Sequence, residues 1–202
     1  MLTRRTLLIA GAAGTASLLT SGLPATAQSI PTVEEVLFDE AIPVIGNPKG
    51  DVTIAEYYDY QCPFCKRGHP DLLDIVKQDG NIRLVMKDWP IFGDPSVHAA
   101  RLVLGAGDDY EAAHTALMMT EGRLSRDDVD ATLSKAGYDP ERLAARADAQ
   151  SERIQGILDR NMNQARAFGF RGTPVYLVDT RLNYGAMSRE AILAAVEQAR
   201  AG

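Results

Sequence analysis

The chain has 202 residues, 46% apolar and 24% charged. This composition excludes an intrinsically disordered chain and suits a domain large enough to bury a core without a disulfide staple. With 21 basic and 27 acidic residues the net charge is −6, a balance that suits a solvated surface and argues against nucleic acid as a partner.

Residues 1–27 read as an export signal. Arg4 and Arg5 form a basic start, Leu7 to Leu19 an apolar stretch diluted by glycine, and Ala25-Thr26-Ala27 a cleavage site before Gln28. Thr3-Arg4-Arg5-Thr6-Leu7-Leu8 resembles a twin-arginine motif, and Sec export is the alternative. Either route leads to an oxidising compartment, and the leader looks bacterial, so the expected location is a periplasm. Without Arg4 and Arg5 the chain keeps 19 basic against 27 acidic residues. The apolar run is too short to span a bilayer, and no later segment offers about 18 uninterrupted apolar residues. The residue directly after the cleavage site is Gln28 and not cysteine, so no lipid anchor is expected there, and no stable membrane anchor is expected either.

Residues 28–50 form an arm, in which Val33, Val36 and Leu37 have the spacing of a short helix. A turn cluster, Gly46 to Gly50, closes it. Val52 to Tyr58 is β-branched and aromatic and predicts a buried strand. Cys62-Pro63 opens a helix that Gly80 ends, with a kink expected at Pro70. Ile82 to Lys87 predicts a second strand, parallel to the first. Residues 96–169 read as helical throughout, with Ser96, Asp108 or Asp109, Ser125 and Asp139 as N-caps and a break near 149–151. Strands at Pro174–Val178 and Leu182–Tyr184 follow, joined by a turn at 179–181, and Ser188 caps a last helix. The order β-α-β, helical block, β-β-α implies an α/β domain over 51–202 with an inserted helical subdomain, because a crossover needs only about a dozen residues.

Both cysteines, Cys62 and Cys65, lie in one C-x-x-C at a helix start. Zinc needs four ligands; His69, four residues past Cys65, is a third donor, and no fourth is evident. Haem attachment needs histidine where Lys66 stands. A structural disulfide would close a very short loop, where the entropic gain is least. The remaining use is thiol–disulfide exchange. Pro63 takes the first helical position and leaves Cys62 exposed at the helix tip, facing unpaired N–H groups and the positive end of the helix dipole, which favours its thiolate. Cys65, a turn inward, resolves the mixed disulfide. No metal and no cofactor are expected.

Glu56 to Cys65 (Glu-Tyr-Tyr-Asp-Tyr-Gln-Cys-Pro-Phe-Cys) resembles the active-site segment of DsbA-like thioredoxin-fold proteins. Phe168 to Val178, with Gly172-Thr173-Pro174, is similar to that family's cis-proline strand, and the helical insertion between these landmarks matches its signature. The resemblance implies a thioredoxin-like fold with a central mixed sheet over nearly all of residues 40–200. It places a cis bond before Pro174 beside the sulfurs, with the Thr173 backbone free to pair with an extended substrate. It also puts Glu56 beneath Cys65, moving that thiol's proton, and Lys87 is a candidate partner for the buried carboxylate. Pro63, Phe64 and Thr173 are the expected substrate contacts. His98, His114, Met118 and Met119 read as helix-face or core residues.

Pro63-Phe64 stands where the best-known oxidase of the family has proline and histidine, and Thr173 precedes the proline as in many isomerase-type relatives. The expected function is a periplasmic oxidase acting on cysteines of exported proteins and working with a membrane redox partner. The rivals are an isomerase or reductase and, from another class, a holdase or metal-binding module on the same fold.

Overall fold

The computed structural model describes residues 30–202; the export signal read at 1–27 lies outside them. A five-stranded mixed sheet has the order β1-β3-β2-β4-β5. Its strands are β1 (Val44–Gly46), β2 (Val52–Tyr58), β3 (Ile82–Asp88), β4 (Val175–Val178) and β5 (Arg181–Tyr184). β2 and β3 are parallel and the other pairs antiparallel. All seven residues of β2 are buried, as expected of a central strand covered on both faces.

The arm holds a short helix, α1 (Val33–Leu37), closed by a capping box between Thr32 and Glu35. It also supplies β1, the sheet's edge strand beside β3. Three residues next to the Gly46 turn are too few for alternation to reveal a strand, so the sequence showed only an arm.

Helix α2 (Pro63–Asp79) begins at the C-x-x-C, runs through Pro70 and ends at Gly80. Gly80 adopts a left-handed φ of 71°, a conformation that favours glycine. The helical block comprises α3 (Asp94–Leu104), α4 (Tyr110–Met118), α5 (Arg126–Lys135), α6 (Pro140–Ala149) and α7 (Ser151–Ala167), with a single 3₁₀ turn at Gly107–Asp109. Ser125 and Asp139 cap α5 and α6 through their side chains, and α6 and α7 are separated at Gln150. Asp109 precedes α4 without a side-chain cap.

Ser96 is not a cap. The helix starts earlier, at Gly93, and Ser96 is a buried residue inside it. Its hydroxyl is used elsewhere, on Asp59 at 2.7 Å. The terminal helix α8 (Arg189–Ala201) is capped by Ser188 and buries Ile192 and Val196.

Side chains alternate between the faces of β2. Tyr57 points to the face covered by α7, where its hydroxyl donates to Gln164 Oε1 at 2.8 Å. Glu56 and Tyr58 point to the opposite face, beneath α2 and α4. There Tyr58, Tyr60, Tyr110 and His114 form a buried hydrogen-bonded cluster, with Tyr58–Tyr110 at 2.8 Å and Tyr60–His114 at 3.0 Å. Of the paired methionines at the end of α4, Met118 is core and Met119 is exposed, and His98 pairs with Asp130 at 2.7 Å.

Candidate active site

The chain leaves β2 at Tyr58 and turns through Asp59, Tyr60 and Gln61 into α2. Asp59 is buried and organises this turn. Its Oδ1 accepts from the Gln61 N–H and the Ser96 hydroxyl, each at 2.7 Å, and its Oδ2 from the Ile91 and Phe92 N–H groups at 2.7 and 3.1 Å. The Gln61 amide forms a reciprocal pair with the backbone of Leu124, donating at 2.6 Å and accepting at 2.8 Å. Lys66 donates to Thr120 Oγ1 at 2.9 Å and to the Gly122 carbonyl at 2.8 Å. Ser96 of α3, the segment before α3 and the loop between α4 and α5 therefore fix the approach to α2, and the cysteines are held by a preorganised shell.

Cys62 is the N-cap of α2, and Pro63 occupies the first turn, where its missing N–H leaves no bond unmade. The Cys62 sulfur accepts from the Cys65 N–H at 3.3 Å. As a neutral thiol it donates to the Thr173 carbonyl at 3.3 Å. The Thr173–Pro174 bond is cis, and Pro174 is buried while Thr173 is half-buried.

Both cysteines are free thiols. The sequence suggested an exposed Cys62; instead it is 1% exposed and Cys65 is 0%. Thr173, just ahead of β4, approaches the Cys62 sulfur from 111 residues away, a contact that spacing along the chain does not reveal. Pro63 and Phe64 are the exposed residues of the motif, and the Arg67 guanidinium lies over the Phe64 ring at 4.5 Å.

The two thiols differ electrostatically. A hydrogen bond from the Cys65 thiol, with smaller contributions from the Thr173 side chain and the N–H groups of Cys65 and Phe64, brings Cys62 from 9.0 down to about 6 against the opposing effect of burial. Cys65 goes the other way: burial, its hydrogen bond to Cys62 and the nearby Glu56 carboxyl push its pKa far up. Cys62 is thus a thiolate at neutral pH and Cys65 a thiol.

Glu56 is fully buried on the α2 face of β2. Its Oε1 accepts from the Tyr176 hydroxyl at 3.2 Å, and its Oε2 has no hydrogen-bond partner. Burial raises its pKa to about 8, with the charge of Cys62 adding to the rise.

Lys87 is not its partner. In the β2–β3 register Lys87 stands opposite Tyr57 and Glu56 opposite Met86, so the lysine projects to the other face. There it donates to Gln164 Oε1 at 3.2 Å. β3 does lie beside β2, but the parallel register turns Lys87 to the other face, and the partner of Glu56 comes from β4.

Tyr176 and Asp59 were not singled out from the sequence. Asp59 adjoins the motif, and its neighbourhood was a usable signal. Tyr176 becomes visible only when β4 pairs with β2. His69, the third donor weighed for a metal, approaches Thr115 Oγ1 at 3.4 Å. Among the described residues no three His, Cys, Asp or Glu side chains are grouped to hold a metal ion. No helix among them is long and apolar enough to cross a membrane.

Comparison with known proteins agrees with this architecture. A thioredoxin-like oxidoreductase from Silicibacter pomeroyi DSS-3 superimposes with a TM-score of 0.80 at 35% identity, covering 85% of this chain and 99% of that one. A periplasmic thioredoxin-like protein from Salmonella enterica serovar Typhimurium gives 0.75 at 28% identity, covering 84% and 97%. Among curated proteins, the Na(+)/H(+) antiporter NhaA 1 of Salinispora arenicola is 27% identical over 190 residues, which are 87% of this chain and 28% of the antiporter. The chain spans about a quarter of the length of the curated relatives it matches. The model of the DSBA-like thioredoxin domain matches residues 53–197, well over half of the chain. Its strand–C-x-x-C–helix unit, helical insertion and cis-proline strand thus place the protein in the DSBA-like thioredoxin domain family, with the fold of a thiol–disulfide oxidoreductase.

Proposed function

We propose that the protein is a periplasmic thiol oxidase that passes the Cys62–Cys65 disulfide to cysteines of exported proteins. The observation that carries the direction is the opposite tuning of the two thiols. A thiolate stabilised in the reduced enzyme makes the disulfide a better oxidant. Lowering a thiol from 9.0 to about 6 favours the reduced form at pH 7 by about 1.4 kcal/mol, a factor of about ten. For a two-electron couple that is about 30 mV of oxidising power. The gain grows with pH up to 9, where the untuned thiol would itself ionise.

The chemistry runs as one exchange of S–S bonds. A substrate thiolate attacks Cys62 Sγ, the Cys62–Cys65 bond breaks, and its electron pair leaves on Cys65. Glu56, neutral below its pKa of about 8, supplies the proton that makes Cys65 a thiol. A second substrate thiolate then attacks its own sulfur in the mixed disulfide, and Cys62 departs as the stabilised thiolate. Two electrons pass from the substrate to the enzyme.

Pro63 and Phe64, exposed beside Cys62, offer an apolar contact for an unfolded segment, and the Thr173 backbone offers hydrogen bonds to an extended one. Cys62 and Cys65 form the redox disulfide, with Pro174 beside them. Each turnover leaves the pair reduced, so a membrane redox partner is assigned the return step. The location rests on the signal at residues 1–27 and is supported by the periplasmic Salmonella protein.

The test is stoichiometric transfer. The oxidised protein is mixed with an equal amount of a reduced two-cysteine peptide, quenched with acid and analysed by mass. Peptide disulfide together with free Cys62 and Cys65 is the expected result. A peptide that stays reduced while the Cys62–Cys65 bond survives would refute an oxidase.

A further inference from the structure

β4 reaches both halves of the site. Its entry, Thr173, holds a carbonyl against Cys62 Sγ at 3.3 Å. Two residues past Pro174, Tyr176 stands directly opposite Glu56 in the antiparallel β2–β4 register, so the two side chains share the face beneath α2. The phenol is 2% exposed and donates to Glu56 Oε1 at 3.2 Å. It also reaches the underside of α2: a Cβ built on Gly68, three residues past Cys65, would lie 3.5 Å from its hydroxyl.

A carboxyl group buried among apolar side chains is mobile about its terminal torsion unless an oxygen is held. Here one oxygen is held, by Tyr176, and the other, Oε2, is buried without a partner. Burial keeps the phenol protonated far beyond physiological pH. Tyr176 is therefore a permanent donor, unable to act as a rival base for the Cys65 proton.

We propose that Tyr176 is a positioning residue that pins Glu56 by Oε1 and so assigns Oε2 as the oxygen that exchanges a proton with Cys65. The proposal rests on Glu56 being the proton partner of Cys65. In the oxidising direction Oε2–H protonates the Cys65 thiolate released when the Cys62–Cys65 bond breaks. In the reverse direction Oε2 takes the Cys65 proton, Cys65 Sγ attacks Cys62 Sγ, and the substrate leaves as a thiolate. One strand then serves both cysteines, Thr173 facing the sulfur that meets substrate and Tyr176 setting the acid behind the sulfur that resolves.

The experiment compares Tyr176→Phe, Glu56→Gln and the double variant with wild type. Each reduced protein is mixed with saturating oxidised glutathione from pH 5 to 9. The intramolecular step, release of the second glutathione as Cys65 resolves, is followed by rapid acid quench. Phe keeps the ring and removes only the hydroxyl, and circular dichroism checks the fold.

The hydrogen bond from Tyr176 lowers the Glu56 pKa, so its loss raises it. Tyr176→Phe is expected to move the inflection of the resolution rate from near 8 upward by about one pH unit, with a tenfold slower rate at pH 7. The same change in the Glu56→Gln background is expected to do nothing, and alkylation of Cys62 keeps its pH profile. If Tyr176→Phe leaves the inflection in place, or slows the Glu56→Gln protein as much as wild type, Tyr176 does not act through Glu56. If Glu56→Gln itself leaves resolution unchanged, the reading of Glu56 fails first and the role of Tyr176 with it. A slow Glu56→Gln with a normal Tyr176→Phe overturns Tyr176 alone.

Discussion

Glu56→Gln is expected to make the reduced protein more stable at neutral pH while making it a worse enzyme. Glu56 is fully buried, and its pKa rises from 4.5 in the open to about 8 in the fold. An acid raised in this way contributes no penalty below about pH 4.5, where it is neutral in both states. As pH climbs towards 8 the unfolded chain gains an ionisation that the native state refuses, and stability is lost. Integrated to pH 7, that loss is about 3 kcal/mol. Glutamine cannot ionise and escapes it. Its amide keeps an acceptor for Tyr176 and leaves the second atom unpartnered, as Oε2 is now, an offset that is the same at every pH. The difference between the two proteins should therefore shift by about 3 kcal/mol in favour of Gln between pH 4 and pH 7. In a chain of this size that corresponds to about 6–12 °C in Tm. Urea unfolding at both pH values, under reducing conditions, reads it directly. A stability difference that is equal at pH 4 and pH 7 would refute the buried, neutral state of Glu56.

The remaining expectations concern the thiols. In the reduced protein, iodoacetamide should modify Cys62 with a midpoint near pH 6 and leave Cys65 unmodified through pH 9, because their pKa values move apart. Faster modification of Cys65, or a Cys62 midpoint near the free-thiol value of about 8.5, would reverse the assignment. Cys65→Ala removes the resolving thiol and should accumulate mixed disulfides through Cys62 with proteins of a periplasmic extract, visible on non-reducing gels; an active wild type whose Cys65→Ala variant yields no adducts would argue against protein substrates.

The landmarks of the fold were legible where local chemistry leaves a mark. Val52–Tyr58 announces itself by β-branched and aromatic residues, Pro63 and Gly80 bracket α2, and Ser125, Asp139 and Ser188 are side-chain caps as read. Pairing between distant segments was less legible. β1 is too short for a periodic signal, and Ser96 looked like a cap until Asp59 claimed its hydroxyl. The site divides the same way. Cys62 and Cys65 follow from spacing, whereas the partner of Glu56 depends on registers no local pattern encodes. Lys87 lies one residue too far along β3 to share its face, and Tyr176, 120 residues away, does share it. The burial of Cys62 is likewise a tertiary fact.

The most direct test of Cys62 as the stabilised thiolate of an oxidising pair is the reduction potential of Cys62–Cys65 followed from pH 5 to pH 8. Each proton taken up on reduction shifts a two-electron couple by about 30 mV per pH unit. Below pH 6 both thiols are protonated on reduction, so the potential should fall by about 60 mV per unit. Above pH 6 only Cys65 takes a proton, and the slope should halve to about 30 mV per unit, leaving the pair at pH 7 more oxidising than thioredoxin at about −270 mV. A single slope of about 60 mV per unit through pH 8, with a potential at or below about −270 mV at pH 7, would contradict the account.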